Sequence, residues 1–250
     1  MRLTQELSRL YRVPHPAHEA PTSLVGADGH VRALVLEIAR PADWAALSAA
    51  WQGAQADLEL PAAAIAVSGT EGLQLWFSVS EPVPVLEAAA FLQGLHRRYL
   101  PGVPAKRVHL YPQPASDAAQ VWVHAPQVPA LQASGNWSAF ISADLPAVFA
   151  DEPWLDLPPN PEQQADILGR LRSITRPQFQ QALALLGPAL RPEDTAPSVR
   201  AATATTAQEM ESTGPRAFLL RVMNDPQIEM QHRIEAAKVL LAHGAGAKAG

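Results

Sequence analysis

The residues with chemistry to offer fall on one face once three strand-like stretches are read by alternation, because successive side chains of a strand point to opposite faces. In "VRALVLEIA" (31–39), Leu34, Leu36 and Ile38 point one way and Val35, Glu37 and Ala39 the other. In "LQLWFSVS" (73–80), Leu73, Leu75, Phe77 and Val79 oppose Gln74, Trp76 and Ser78. In "KRVHLYP" (106–112), Val108 and Leu110 oppose Arg107, His109 and Tyr111. Alternation thus gathers Glu37, Gln74, Trp76, Ser78, Arg107, His109 and Tyr111 on one surface. Aromatic faces stack bases, while Arg and His meet phosphate, so this set suits nucleic acid or a nucleotide. "LHRRYL" (95–100) and "AKRVH" (105–109) add His96, Arg97, Arg98 and Lys106, the one basic cluster in the chain. The turn "SGTEG" brings Ser68, Gly69 and Gly72, a shape that can hold phosphate. A structural account competes at each point. Trp76 and Tyr111 can pack beneath residues 120–155, which bring Trp122, Trp137 and Trp154, and the arginine pair can complement a helix C-terminus.

Those strands need a frame. A short helix and a proline-rich approach precede the first strand. "PADWAALSAAWQGAQADLEL" repeats Trp44, Leu47, Trp51, Ala54 and Leu58 at helical spacing. "AAIAVS" (63–68) and "LQLWFSVS" form two strands joined by the glycine turn. Pro84 suits the first turn of a helix that runs to the stop signal Pro101-Gly102, before the fourth strand. The order strand–helix–strand–strand–helix–strand predicts an α/β (α+β) protein with a ferredoxin-like, RNA-recognition-motif-like core at about 28–115. Helices cover one sheet face, and residues 113–190 are expected to cover the other, with a strand in "QVWVHAP" and helices in "EQQADILGRLRSI" and "RPQFQQALALLG". The domain is expected to span 1–190. A flexible linker is expected at 191–214, rich in Pro, Ala and Thr, and a tail of two short amphipathic helices at 215–244.

Composition removes several classes of function. The net charge of −5 gives no global field for nucleic acid, so binding must rest on a local patch. The absence of cysteine excludes disulfides, thiolate metal sites and cysteine nucleophiles. His15 and His18 show no metal-ligand pattern, and no metal site is expected. Walker A, Gly-x-Gly-x-x-Gly and Gly-x-Ser-x-Gly patterns are missing. Asp151, Glu152 and Asp156 read as an acidic loop. No apolar run is long enough for a membrane span or a signal peptide, so a cytoplasmic protein that does not enter membranes is expected.

The hairpin "IAVSGTEGLQLWFSV" resembles the Ser-Gly-x-x-Gly-Leu-His-hydrophobic hairpin of the archaeo-eukaryotic primase superfamily, which includes primase-polymerases and the polymerase domains of bacterial repair ligases. The resemblance covers roughly residues 30–112 and implies the same sheet-based core. It also implies an Asp-x-Asp pair at the end of the first core strand, whose carboxylates hold divalent ions for nucleotidyl transfer. Here Glu37 takes the first acidic place and Ala39 the second. The family's hairpin histidine is replaced by Gln74, a neutral group without a charge-assisted bond to give, while Ser68, Gly69 and Gly72 are kept. The third carboxylate has only Asp117 as a candidate. The resemblance therefore implies a catalytically degenerate module rather than an enzyme. Its partner would be single-stranded nucleic acid or a nucleotide, and it would need no cofactor; Mg or Mn would enter only if transfer survives. The segment "AFLLRVMNDPQIEMQHRIEAAKVLL" resembles a helical segment of phage and prophage proteins, including some small terminase subunits. That likeness implies a prophage or mobile-element origin. It leaves open a second function, assembly with a protein partner or with itself through 215–244 and without nucleic acid.

Overall fold

The computed structural model describes residues 1–14, 24–115 and 118–187. The chain divides into Met1–Glu193 and Asp194–Gly250. The linker and helical tail expected at 191–214 and 215–244 lie outside the described residues, as do His15, His18 and Asp117.

The β-branched, apolar run that sequence placed first lies inside the sheet, with a partner on each side. Strand β1 (His30–Ile38) pairs antiparallel with β3 (Leu73–Pro84) on one side and β4 (Val108–Tyr111) on the other. Strand β2 (Ala64–Val67) pairs with β3 and also with β7 (Ala139–Ile141), so the order is β4-β1-β3-β2-β7. Helix α2 (Trp44–Ala56) joins β1 to β2, and α3 (Val85–Tyr99) joins β3 to β4. The protein is a mixed α/β structure on a five-stranded antiparallel sheet. Its first four strands interleave as a split βαβ pair requires, and β7 adds a fifth. "QVWVHAP" contributes to β6 (Ala118–Val123), which pairs with β5 (Gln113–Ala115) as a separate ribbon.

Two apolar layers enclose the sheet. On the first face Leu34, Leu36, Ile38, Leu75 and Phe77 pack against α2, α3 and α5 (Arg176–Leu186). Phe91 sits 5.6 Å from Phe77 and 5.3 Å from Phe179, tying α3 to both. On the second face Val35, Ala64, Ala66 and Trp76 pack under α1 (Arg2–Tyr11), α4 (Pro161–Gly169), Val128 and Phe140. The cover expected from 113–190 is present, but the N-terminal helix shares the task, a role its sequence did not signal. Arg32 fastens that helix: its guanidinium donates to the carbonyls of Arg9 (2.8 Å) and Arg12 (3.1 Å), the unpaired acceptors of the α1 C-terminus. Among the described residues no helix is long and apolar enough to cross a membrane.

Two local expectations are corrected. Strand β3 continues to Pro84, which is the N-cap of α3 rather than its first-turn residue. Arg107 closes a 3-10 turn at Ala105–Arg107 and precedes β4 instead of alternating within it, because Pro104 fixes the approach.

The edge strand β7 is completed by a side chain. Gln164 of α4 accepts from the Phe140 amide and donates to the Phe140 carbonyl, both at 2.8 Å, so one buried amide replaces a missing strand. Gln164→Leu leaves both backbone groups buried without partners and is expected to cost about 2–3 kcal/mol. Urea unfolding reads this directly; an unchanged midpoint would mean that water reaches β7 and that α4 does not seal it.

Candidate functional site

The register places the expected side chains in rows across the second face. His109, Glu37, Gln74 and Ala66 form one row, and Tyr111, Val35, Trp76 and Ala64 the next. Within them runs a hydrogen-bonded chain. The Trp76 indole Nε1–H donates to Gln74 Oε1 at 2.7 Å, and Gln74 Nε2 donates to Glu37 Oε2 at 2.9 Å. All three are sealed: Glu37 is 5% exposed, Gln74 1% and Trp76 2%. Burial pushes the Glu37 carboxyl up from its ordinary value, while the Gln74 amide and the nearby His109 pull it back and Glu71 pushes it further up. The site holds one buried carboxylate supported by a neutral amide. Among the described residues no group of three His, Asp or Glu side chains is placed to hold a metal ion.

The glycine turn is satisfied from within. Ser68 Oγ accepts from the amides of Thr70 (3.2 Å), Glu71 (3.0 Å) and Gly72 (2.9 Å). The Ser68 amide donates to the Gly72 carbonyl and the Gly69 amide to the Pro153 carbonyl. The donors a phosphate would need are therefore already used, and a ligand would have to displace these bonds. Gly69 has φ +77°, which is why glycine stands there.

The second face is closed over Trp76. Its ring meets Tyr11 at 5.3 Å and Phe140 at 5.8 Å, both edge to face, and His124 at 6.1 Å. Ser78 Oγ donates to the Leu10 carbonyl at 2.7 Å. Tyr111 is half-buried and stacks on His124 at 6.4 Å. The expectation of Trp76 as a platform for bases is therefore corrected: the indole is packed into the protein's second core. Arg97 and Arg98 are not brought to this face either, because α3 lies on the other one. Arg97 reaches the Leu186 carbonyl, and Arg98 pairs with Asp57 at 3.3 Å.

What remains accessible lies at the end of the sheet. Arg107 donates to the carbonyls of Ala39 and Pro41, which fixes the strand exit beside Glu37. The intervening Arg40 stands 4.5 Å over the Trp154 ring, and Trp154 follows Pro153, the residue that holds the glycine turn. Lys106 is exposed, and His109 is half-exposed next to Glu37. None of Arg40, Lys106 and Arg107 forms an ion pair among the described residues. Sequence reasoning missed Arg40, Tyr11 and His124, and placed Trp154 only as cover; the pairing of Arg40 with Trp154 has no local signature.

His124 gives the site a pH dependence. Its Nε2 bonds the Ala33 carbonyl at 3.0 Å, and Nδ1 is sealed, although the residue as a whole is only partly buried. Burial pushes its pKa down to about 4. Between that value and the ordinary 6.5 the unfolded chain binds the extra proton. Stability is therefore complete above pH 6.5 and is lost as pH falls toward 4, by about 1–2 kcal/mol at pH 5. Glu37 has the opposite sign. Its raised pKa lets the folded state take the proton first, so its contribution is present at low pH and is lost as pH rises past the raised value. Urea midpoints measured from pH 4.5 to 8 should fall on the acid side, and His124→Phe should flatten that limb; an equally steep limb in the variant would assign it to another group.

No protein-family model and no curated protein matches this chain, so the reading of the site rests on its residues and their geometry.

Proposed function

We propose that the described domain is a primase-polymerase-like frame that associates with single-stranded nucleic acid without transferring nucleotides. The absence of transfer is supported by Glu37 at the end of β1, which is buried and bonded to the neutral amide of Gln74 where the resemblance would place charge. The observation that carries the binding is the edge beside it, where Arg40 lies over Trp154 and Lys106 and Arg107 have no carboxylate partner among the described residues. A cation paired with an aromatic face suits a phosphate and its neighbouring base. Contact runs along this edge and not across the sheet, whose second face is filled.

Fluorescence anisotropy of labelled single-stranded DNA, titrated with the full chain over a range of salt, tests the reading. The expected result is weak binding in low salt that falls with a shallow slope, since only about two or three phosphates are neutralised. Arg40→Ala and Lys106→Ala should each weaken it several-fold, and Arg98→Ala should leave it unchanged. Incubation with manganese and nucleotides should extend no primer. Failure to bind at tens of micromolar protein in low salt would overturn the proposal, as would binding that ignores Arg40 and Lys106.

A further inference from the structure

Arginines that lie far apart in sequence, Arg9, Arg12, Arg32, Arg170 and Arg172, meet where the C-terminal ends of α1 and α4 come together. Arg9 donates to the carbonyls of Leu168 at 3.0 Å and Leu171 at 3.2 Å, which holds the loop bearing Arg170 and Arg172 against α1. Arg32 reaches the carbonyls of Arg9 and Arg12 from β1. Arg12 and Arg172 both stand beside Tyr11. Among the described residues the group has a single carboxylate partner, Glu6 on Arg9. The α4 carboxylates Glu162 and Asp166 are taken by Arg2 at the other end of α1. Burial holds the Arg32 pKa below its ordinary value, and the charge of Arg9 lowers it further. Helix ends account for Arg9 and Arg32, whose guanidinium groups are spent on carbonyls. They leave Arg12, Arg170 and Arg172, whose guanidinium groups make neither an ion pair nor a hydrogen bond among the described residues. Arg170 and Arg172 are exposed and Arg12 partly so.

We infer that these three arginines dock an acidic segment of a partner protein. Each guanidinium presents planar donors that match the two oxygens of a carboxylate, and arginine clusters recognise acidic motifs in this way. The surface beside Arg172 favours a peptide. Pro61, Ala62 and Leu171 line a shallow, partly buried aliphatic floor there, on which small side chains can rest between carboxylates. Nucleic acid is less well served, because the nearby Tyr11 and Trp76 rings are sealed and offer bases nothing to stack on. The chain's net charge of −5 repels an acidic segment elsewhere, which confines docking to this patch. The cationic edge is a separate surface. It lies beyond the C-terminal end of β1, and the stretch from Arg32 to Ile38 alone spans roughly 20 Å.

The test is fluorescence anisotropy of a labelled peptide of alternating Glu and Ala, titrated with the full chain in low salt, with the Gln-for-Glu peptide as the uncharged comparison. The expected result is saturable binding with a Kd of roughly 10–100 μM that weakens as salt is added. The Gln peptide should not bind. Arg172→Gln should weaken the acidic peptide about three-fold or more, and the triple variant Arg12→Gln, Arg170→Gln, Arg172→Gln should abolish binding. Arg98→Ala should leave it unchanged. An unaltered urea midpoint in the triple variant separates loss of docking from loss of fold. Excess oligothymidylate should leave the peptide bound; displacement would assign the arginines to nucleic acid and overturn the inference. No binding at about 500 μM protein would overturn it too, as would equal binding of the Gln peptide or binding that survives the triple substitution.

Discussion

Gly72→Ala is expected to destabilise the domain by about 3 kcal/mol, the largest effect of any single-methyl change at the site. A Cβ at this position would fall inside contact distance of the Ile38 carbonyl oxygen, 2.8 Å from the carbonyl carbon and 3.1 Å from the Ala39 Cα. All three are backbone atoms of β1 or its exit, so no side chain can swing aside. The hairpin must move away from β1, which strains the Ser68–Gly72 bonds and the link from Gln74 to Glu37. Gly102→Ala serves as the control, since nothing lies within 4 Å of its added Cβ. Urea unfolding of the two variants gives the comparison. A cost below about 1 kcal/mol at Gly72 would mean that the turn is free to shift, and a phosphate-holding role would regain its case. The expected outcome assigns this glycine to close backbone approach, a sufficient reason for it without any ligand.

The alternation of β1, β3 and β4 was legible because each strand carries strict apolar pairs. Leu34, Leu36 and Ile38 could go only to one core, which sent Val35 and Glu37 to the other side. The element order then constrained the strand order. The fate of the second face was not legible in the same way. Leu3, Leu7 and Leu10 mark an amphipathic helix, but periodicity says that a face is buried and not against what. Trp76 and Tyr11 are distant in sequence, and their contact follows from the docking of α1, which Arg32 secures through carbonyls that no motif encodes. The placement of Arg97 and Arg98 was decidable. Phe91 and Leu95 of the same helix pack on the first face, so the helix and its arginines belong to that layer. The misplacement of Arg107 has a different cause. A proline-led turn delays the start of the strand to Val108, so the alternation does not reach back to Arg107.

Substitutions at Trp76 are expected to separate packing from hydrogen bonding, and to decide what the indole is for. Trp76→Ala removes a ring held between Tyr11, Phe140 and His124 and should cost about 3–5 kcal/mol. Trp76→Phe keeps much of that contact but deletes the donor to Gln74 Oε1, leaving a buried acceptor unpaired at a cost of about 1–2 kcal/mol. The smaller change should also be felt at Glu37, because an unanchored Gln74 is a poorer donor to the carboxylate, and the Glu37 pKa should rise further. If Trp76 were instead a surface on which bases stack, Trp76→Ala would weaken binding of single-stranded DNA at unchanged stability. Measuring denaturation and anisotropy on the same variants distinguishes the two. Loss of affinity without loss of stability would return the indole to the solvent side of the sheet. Loss of stability with affinity that follows only the folded fraction would place it with Tyr11 and Phe140, as a core residue whose one polar atom is occupied in steadying the carboxylate.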